Sequence, residues 1–150
     1  LGIGVVQNVV FHSKEEQLSI MKDHHESGWV ADPQGINTAG WGLFITPEDM
    51  GKIGQLYLNG GTWNSRRILS PEWIAESTRV QSRWDERKLS YGYLWWVIDE
   101  DSFAALGDGG NVLYVNTKEK MAVSIASLFK PVVKDRIELI KAYIEPAFKD

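Results

Sequence analysis

The chain has 150 residues, 43% hydrophobic and 24% charged, enough to bury one sizeable core as a single domain over residues 1–150. Its formal net charge of −4 argues against the basic surface that nucleic acid requires. It has no cysteine, hence no disulfide or thiol chemistry, and no apolar run near the roughly 18 residues of a membrane span. Leu1 to Val10 is too short for a signal peptide and lacks its basic start. The absence of an initiator methionine fits a fragment or a processed chain.

In chain order, Val5 to Phe11 reads as a strand from its β-branched content. Residues 12–38 are polar and mixed and read as one long loop, the kind of connection that carries function. Thr46-Pro47-Glu48-Asp49 is a helix start. Thr46 caps, Pro47 suits the first helical position, and two acids face the positive end of the dipole. Met50, Ile53, Gly54, Tyr57 and Leu58 follow at helical spacing, and Gly60-Gly61 ends the helix. Ser70-Pro71-Glu72 repeats the start for a shorter helix through about Thr78. The charged residues 79–90 read as an exposed loop.

Three apolar courses follow. The first is Tyr91 to Ile98. The second is Phe103 to Leu106, continuing through Val112 to Val115, and the third is Met121 to Leu128. Short polar links between them imply antiparallel neighbours. Val133, Ile137, Ile140 and Ile144, with Val132 beside them, mark one face of a C-terminal helix that packs on the sheet. Helices, then a meander, then a helix argue for an α+β fold.

The densest chemical signal is Gly107-Asp108-Gly109-Gly110-Asn111, where three glycines around one aspartate permit φ > 0 and a close approach by another molecule. The bland alternative is a hairpin corner with Asp-Gly turn chemistry. Ser19-Ile20-Met21-Lys22 and Ser127-Leu128-Phe129-Lys130 both read Ser-x-x-Lys, a spacing that sets a lysine amine beside a serine hydroxyl on one helical turn. Ser19 lies in the polar loop, and Ser127 ends a strand that runs into Pro131. Tyr57-Leu58-Asn59 and Tyr114-Val115-Asn116 both read Tyr-x-Asn, but their tyrosines sit at core positions of a helix and a strand. His24-His25-Glu26 with Asp23 suggests metal only weakly, because structural zinc ligands are usually spaced and often include cysteine. A solvated loop is the favoured reading there, with no metal.

Six segments, in order, carry a family resemblance: Leu1-Gly2-Ile3, Gly40 to Met50, Leu56 to Asn64, Ile68 to Trp73, Tyr91 to Trp96, and Gly107 to Asn111. Together they resemble the C-terminal part of the serine β-lactamase and penicillin-binding-protein family, in its class C and esterase-like branch. The resemblance implies the C-terminal portion of a β-lactamase/transpeptidase-like domain whose N-terminal part is missing. It implies an acyl-enzyme hydrolase of β-lactam, ester or D-amino-acid peptide substrates, working without a cofactor. The family's Ser-x-x-Lys nucleophile and Tyr-x-Asn motif lie upstream of its Pro-Leu-Gly segment, which Leu1-Gly2-Ile3 resembles. No catalytic residue is therefore expected in this chain, which alone is expected to be inactive, and its internal matches are decoys.

Matched residue by residue, Asp108 takes the position of the Lys or His in the family's third motif, Gly109 and Gly110 follow, and Asn111 supplies a backbone N–H toward an oxyanion. Asp108 departs from the pattern, because a carboxylate repels the anionic substrates that Lys or His⁺ attracts. That shifts the expected substrates toward neutral or cationic esters, amides or peptides. Trp41, Trp63, Trp73, Trp95 and Trp96 fall at family core positions and are expected to pack. Trp29 is the tryptophan expected at the ligand, near an entrance around Gly35 to Trp41. The expected partners are a small-molecule substrate and either the missing N-terminal part or a second copy at an exposed sheet edge. The resemblance points to an extracellular or cell-envelope location, while composition leaves the cytoplasm open. The alternative function is a non-catalytic binding module on the same scaffold.

Overall fold

A computed structural model describes residues 1–4, 7–20, 27–127 and 134–148. They fall into two units, Leu1–Asp49 and Met50–Asp150. In the first unit, β1 (Asn8–Val10), α1 (Lys14–Ile20), β2 (Gly28–Ala31) and β3 (Leu43–Phe44) form one helix and a three-stranded sheet. β1 runs parallel to β2, and β3 antiparallel to it. The strand expected from Val5 begins at Asn8, Val5 and Val6 lying outside the described residues.

The long loop expected over residues 12–38 is instead partly regular. Ser13 Oγ accepts from the Glu16 N–H at 3.1 Å, and a Glu16 carboxylate oxygen accepts from the His12 N–H at 2.7 Å. This reciprocal cap, from a Ser-x-x-Glu sequence, starts α1. β2 is the middle strand, with Val30 and Ala31 fully buried. Gly42, at φ +80°, lies so close that a Cβ there would sit 2.7 Å from the Val30 Cβ.

The second unit takes up α2 (Pro47–Leu58) from its first turn onward. Thr46 Oγ1 caps α2 by accepting from the Asp49 N–H at 3.1 Å. At the other end, the Gly61 N–H reaches the Leu56 carbonyl and the Gly60 N–H the Tyr57 carbonyl, a Schellman closure with both glycines at positive φ. A two-stranded hairpin of β4 (Thr62–Trp63) and β5 (Arg66–Arg67) leads to α3 (Pro71–Thr78). Ser70 Oγ caps α3 by accepting from the Trp73 N–H at 3.0 Å. Both helices form where the sequence places them.

The main sheet is a six-stranded antiparallel meander: β6 (Ser82–Trp84), β7 (Leu89–Tyr91), β8 (Trp96–Val97), β9 (Ser102–Gly107), β10 (Asn111–Asn116) and β11 (Met121–Ile125). Among the described residues β6 and β11 are its outermost strands. Three expectations change here. Residues 79–90 hold the β6–β7 hairpin rather than a loop; Arg83 lies in the exposed outer strand β6, a common protection of sheet edges, while Asp85–Arg87 form a short 3-10 turn between the strands. The course from Phe103 to Val115 is a hairpin of two strands.

The third change concerns Tyr91 to Ile98, which is two strands joined by a tight turn, not one. The Gly92 N–H donates to the Trp95 carbonyl at 2.7 Å, and the Tyr93 N–H to the Ser77 carbonyl at 2.8 Å. A Cβ on Gly92 would collide with the Ser77 carbonyl oxygen, so the end of α3 packs on bare backbone. Leu94 pays for this turn by adopting φ +64° while 54% exposed.

Strand alternation gives the sheet two packed faces. Phe103, Leu113 and Val115 meet Ile53, Tyr57 and Leu58 of α2, together with Trp95. The Tyr57, Trp95 and Phe103 rings interlock edge-on, with centroids 4.7–5.8 Å apart. Gly54 permits the approach, since a Cβ there would lie 2.9 Å from the Ala122 Cβ. On the other face, Ala104, Val112 and Tyr114 meet a C-terminal helix that runs from α4 (Arg136–Leu139) through a π-helical segment (Ile140–Ile144) into α5 (Glu145–Ala147). Its contacts are Ile137, Ile140 and Ile144, the expected face; Val132 and Val133 lie outside the described residues.

Polar bonds fix that helix. The Tyr114 hydroxyl donates to Glu145 at 2.6 Å, the Asn116 carboxamide donates to the same oxygen at 2.7 Å, and Lys141 pairs with Asp99. Burial, and then the bond to Glu145, push the Tyr114 phenol above its usual range.

Two measurements check this packing. Ile140, fully buried, should cost about 2–4 kcal/mol when replaced by alanine, through lost methylenes and a residual cavity; a change below about 0.5 kcal/mol in denaturant titration would place the helix elsewhere. Leu94→Gly should stabilise the chain by about 1 kcal/mol by relieving the left-handed backbone. An unchanged or lower melting temperature would show that the turn is not strained.

Candidate active-site turn

The β9–β10 hairpin carries the glycine motif at its tip. Gly107 pairs with Asn111 across the hairpin, leaving Asp108–Gly110 as a tight turn that is non-helical at Gly109. Gly109 and Gly110 hold φ +80° and +90°, values that side chains rarely adopt, so the glycines are required by the turn itself. The structure thus realises the hairpin corner, with Asp108 exposed at its start.

Two residues that the sequence reading did not assign to this place complete the cluster. The Asn111 carboxamide donates to the Asp108 carbonyl at 3.1 Å and accepts from the Ser127 N–H at 2.9 Å. Arg136, in the first turn of the C-terminal helix, donates to Ser127 Oγ at 2.8 Å and to the Lys134 carbonyl at 2.6 Å. Its guanidinium lies against Gly110, where an added Cβ would meet Nη2 at 2.9 Å and both Cζ and Nε at 3.1 Å. No spacing rule links residues 110, 127 and 136. Only the packing of the helix across β11 brings them together.

The remaining candidates separate. Trp29 belongs to the first unit, where it is a half-buried residue of β2 rather than of a loop, and its indole N–H donates to the Thr38 carbonyl at 2.8 Å. Tyr57 and Tyr114 pack in the two core clusters, as their core reading requires. Ser127 Oγ accepts from Arg136, and Lys22 and Lys130, the partners of the Ser-x-x-Lys decoys, lie outside the described residues. So do Asp23, His24, His25 and Glu26. Among the tryptophans expected to pack, Trp95 is 6% exposed, but Trp73 is 46% exposed and stacks on Tyr93 at 5.8 Å. Among the described residues no group of three or more His, Cys, Asp or Glu is placed to hold a metal ion, and no helix is long and apolar enough to cross a membrane.

No protein-family model and no curated protein matches the chain. Solved structures do. One, assigned as a 6-aminohexanoate-dimer hydrolase from Bacillus anthracis, is 31% identical with a TM-score of 0.59, over 79% of this chain and 32% of that one. Another, a family VIII carboxylesterase, is 24% identical with a TM-score of 0.50, over 63% of this chain and 30% of that one, and speaks for the fold alone. The chain thus shares the fold of β-lactamase/transpeptidase-like serine hydrolases, and its α+β architecture is the one that the sequence implies. It spans about a third of the length of these structures, 32% and 30%.

Gly110→Val should destabilise the chain by about 2–3 kcal/mol, combining a left-handed backbone with a collision against Arg136. Urea titration showing a loss under about 0.5 kcal/mol would mean that Arg136 does not lie on this turn.

Proposed function

We propose that this chain forms one wall of the cleft of a serine hydrolase with the β-lactamase-like fold, acting on neutral or cationic esters, amides or peptides through an acyl-enzyme. What carries the reading is the 31% identity, over 79% of the chain, to a hydrolase of that fold. The turn at the hairpin tip supports it with exposed backbone at Gly107 and Asp108. In this reading the nucleophilic serine and its lysine come from a Ser-x-x-Lys motif upstream of Leu1, in a longer enzyme whose remaining segments complete the cleft. A substrate carbonyl attacked by that serine develops negative charge on oxygen. A backbone N–H fixed at the turn, that of Asn111, meets this charge without reorganising, a contribution of roughly 3 kcal/mol per donor in acyl transfer. Acyl transfer of this kind needs no metal or cofactor.

Asp108 decides which substrates enter. It stands where the resembling family carries Lys or His, so a negative charge replaces a positive one at that position and disfavours carboxylate-bearing substrates, opposed by the Arg136 guanidinium against Gly110. The same carboxylate favours a second reading, a binding module that kept the scaffold without the chemistry.

The test has two arms. The 150-residue chain alone should not turn over p-nitrophenyl esters or chromogenic β-lactams; labelling of Ser19 or Ser127 by a serine-directed phosphonate, with turnover lost when that serine is mutated, would overturn the upstream nucleophile. In the longer enzyme, Asp108→His should raise kcat/KM for carboxylate-bearing esters by about ten-fold relative to neutral ones. An unchanged anionic-to-neutral ratio would leave Asp108 a hairpin residue only. A longer protein that forms no acyl-enzyme would favour the binding module.

A further inference from the structure

We propose that the Asn111 side chain, backed by Ser127 and Arg136, is the positioning device of the Asp108–Gly110 turn, in addition to whatever its backbone does. The inference deepens the cleft reading and, for its functional consequence, rests on it. Two adjacent glycines at φ +80° and +90° make an intrinsically loose tip. Pre-organised catalysis needs the opposite, a backbone already fixed before charge develops.

The Asn111 carboxamide supplies that rigidity by facing two groups of opposite kind. Its Nδ2 donates to the Asp108 carbonyl inside the turn, and its Oδ1 accepts from the Ser127 N–H beyond the end of β11. The partners dictate the orientation of the amide, and at neutral pH a carboxamide offers the donor and the acceptor that an ionised carboxylate of the same reach does not. Arg136 closes the arrangement from outside. One guanidinium nitrogen holds Ser127 Oγ, another holds the Lys134 carbonyl, and the plane covers Gly110. The tip is thereby tied to two elements that the sheet and the C-terminal helix hold in place. Asn111 and Arg136 are positioning residues, acting on reacting atoms only through the turn.

Two variants separate the bonds. Asn111→Ala removes both. Asn111→Asp keeps an acceptor for the Ser127 N–H but sets a carboxylate oxygen against the Asp108 carbonyl. In the 150-residue chain, backbone order parameters at Gly109 and Gly110 should fall from the rigid value of about 0.85 to below about 0.6 in both variants. Protection of the Ser127 amide against hydrogen exchange should fall at least about ten-fold in Asn111→Ala and persist in Asn111→Asp. Lowering the pH through the carboxylic-acid range, near about 4, should restore order at the tip of Asn111→Asp alone, because the protonated acid regains a donor.

Order parameters that stay rigid in both variants would overturn the proposal. So would an equal loss at Tyr114 in the middle of β10, which would mark general destabilisation, or the absence of acid rescue. No substrate enters these measurements. A clamp confirmed here while Asn111→Ala leaves kcat of the longer enzyme unchanged would count against the cleft reading alone.

Discussion

The structure depends on one strand being buried from both sides. From Val112 to Asn116 every residue of β10 is buried, Leu113 and Val115 under α2 and Val112 and Tyr114 under the C-terminal helix. A strand covered on both faces can exchange its side chains with no solvent, so its register is set by the packing alone. A shift by one residue would carry Tyr114, whose hydroxyl meets Glu145, into the α2 face. The hairpin tip preceding Val112 inherits that precision, since Asn111 is the first residue of the same strand. A flexible glycine motif is in this way attached to the most constrained segment of the second unit.

The C-terminal helix serves this strand twice. Its isoleucines supply apolar cover, while Lys141 and Glu145 pair with Asp99, Tyr114 and Asn116 near its far end. Asp99 is a balance of opposing effects. Burial raises its carboxyl, but bonds from Lys141, Ser102 and the Asp101 N–H outweigh this and hold it below the usual carboxylate range. With the far end pinned, the first helical turn delivers Arg136 to Gly110.

Local chemistry explains which parts were legible in the sequence. Thr46-Pro47-Glu48-Asp49, Ser70-Pro71-Glu72 and Gly60-Gly61 specify helix ends through bonds between near neighbours, and the structure forms those bonds at those residues. Ile137, Ile140 and Ile144 specify a helix face by spacing alone. The Ser13–Glu16 cap was equally local, but polar composition around it masked the signal. The turn at Gly92–Trp95 was hidden for a different reason. Tyr91, Tyr93, Trp95 and Trp96 have strong strand propensity, and the bend is imposed from a distance by the Ser77 carbonyl at the end of α3. At the candidate site, the glycine turn was readable as a motif. Ser127 and Arg136 were not, because their nearness to Gly110 exists only after β11 and the helix have packed.

The proposed function requires the turn to face a serine-derived oxyanion in a longer enzyme. The most direct measurement is a crystal structure of that enzyme labelled at its nucleophile with a phosphonate ester. A phosphonyl oxygen should lie about 2.7–3.1 Å from the Asn111 backbone nitrogen, with Asp108 at the rim of the same cleft. A phosphonyl group bound elsewhere, with no oxygen within hydrogen-bonding reach of residues 108–111, would contradict it.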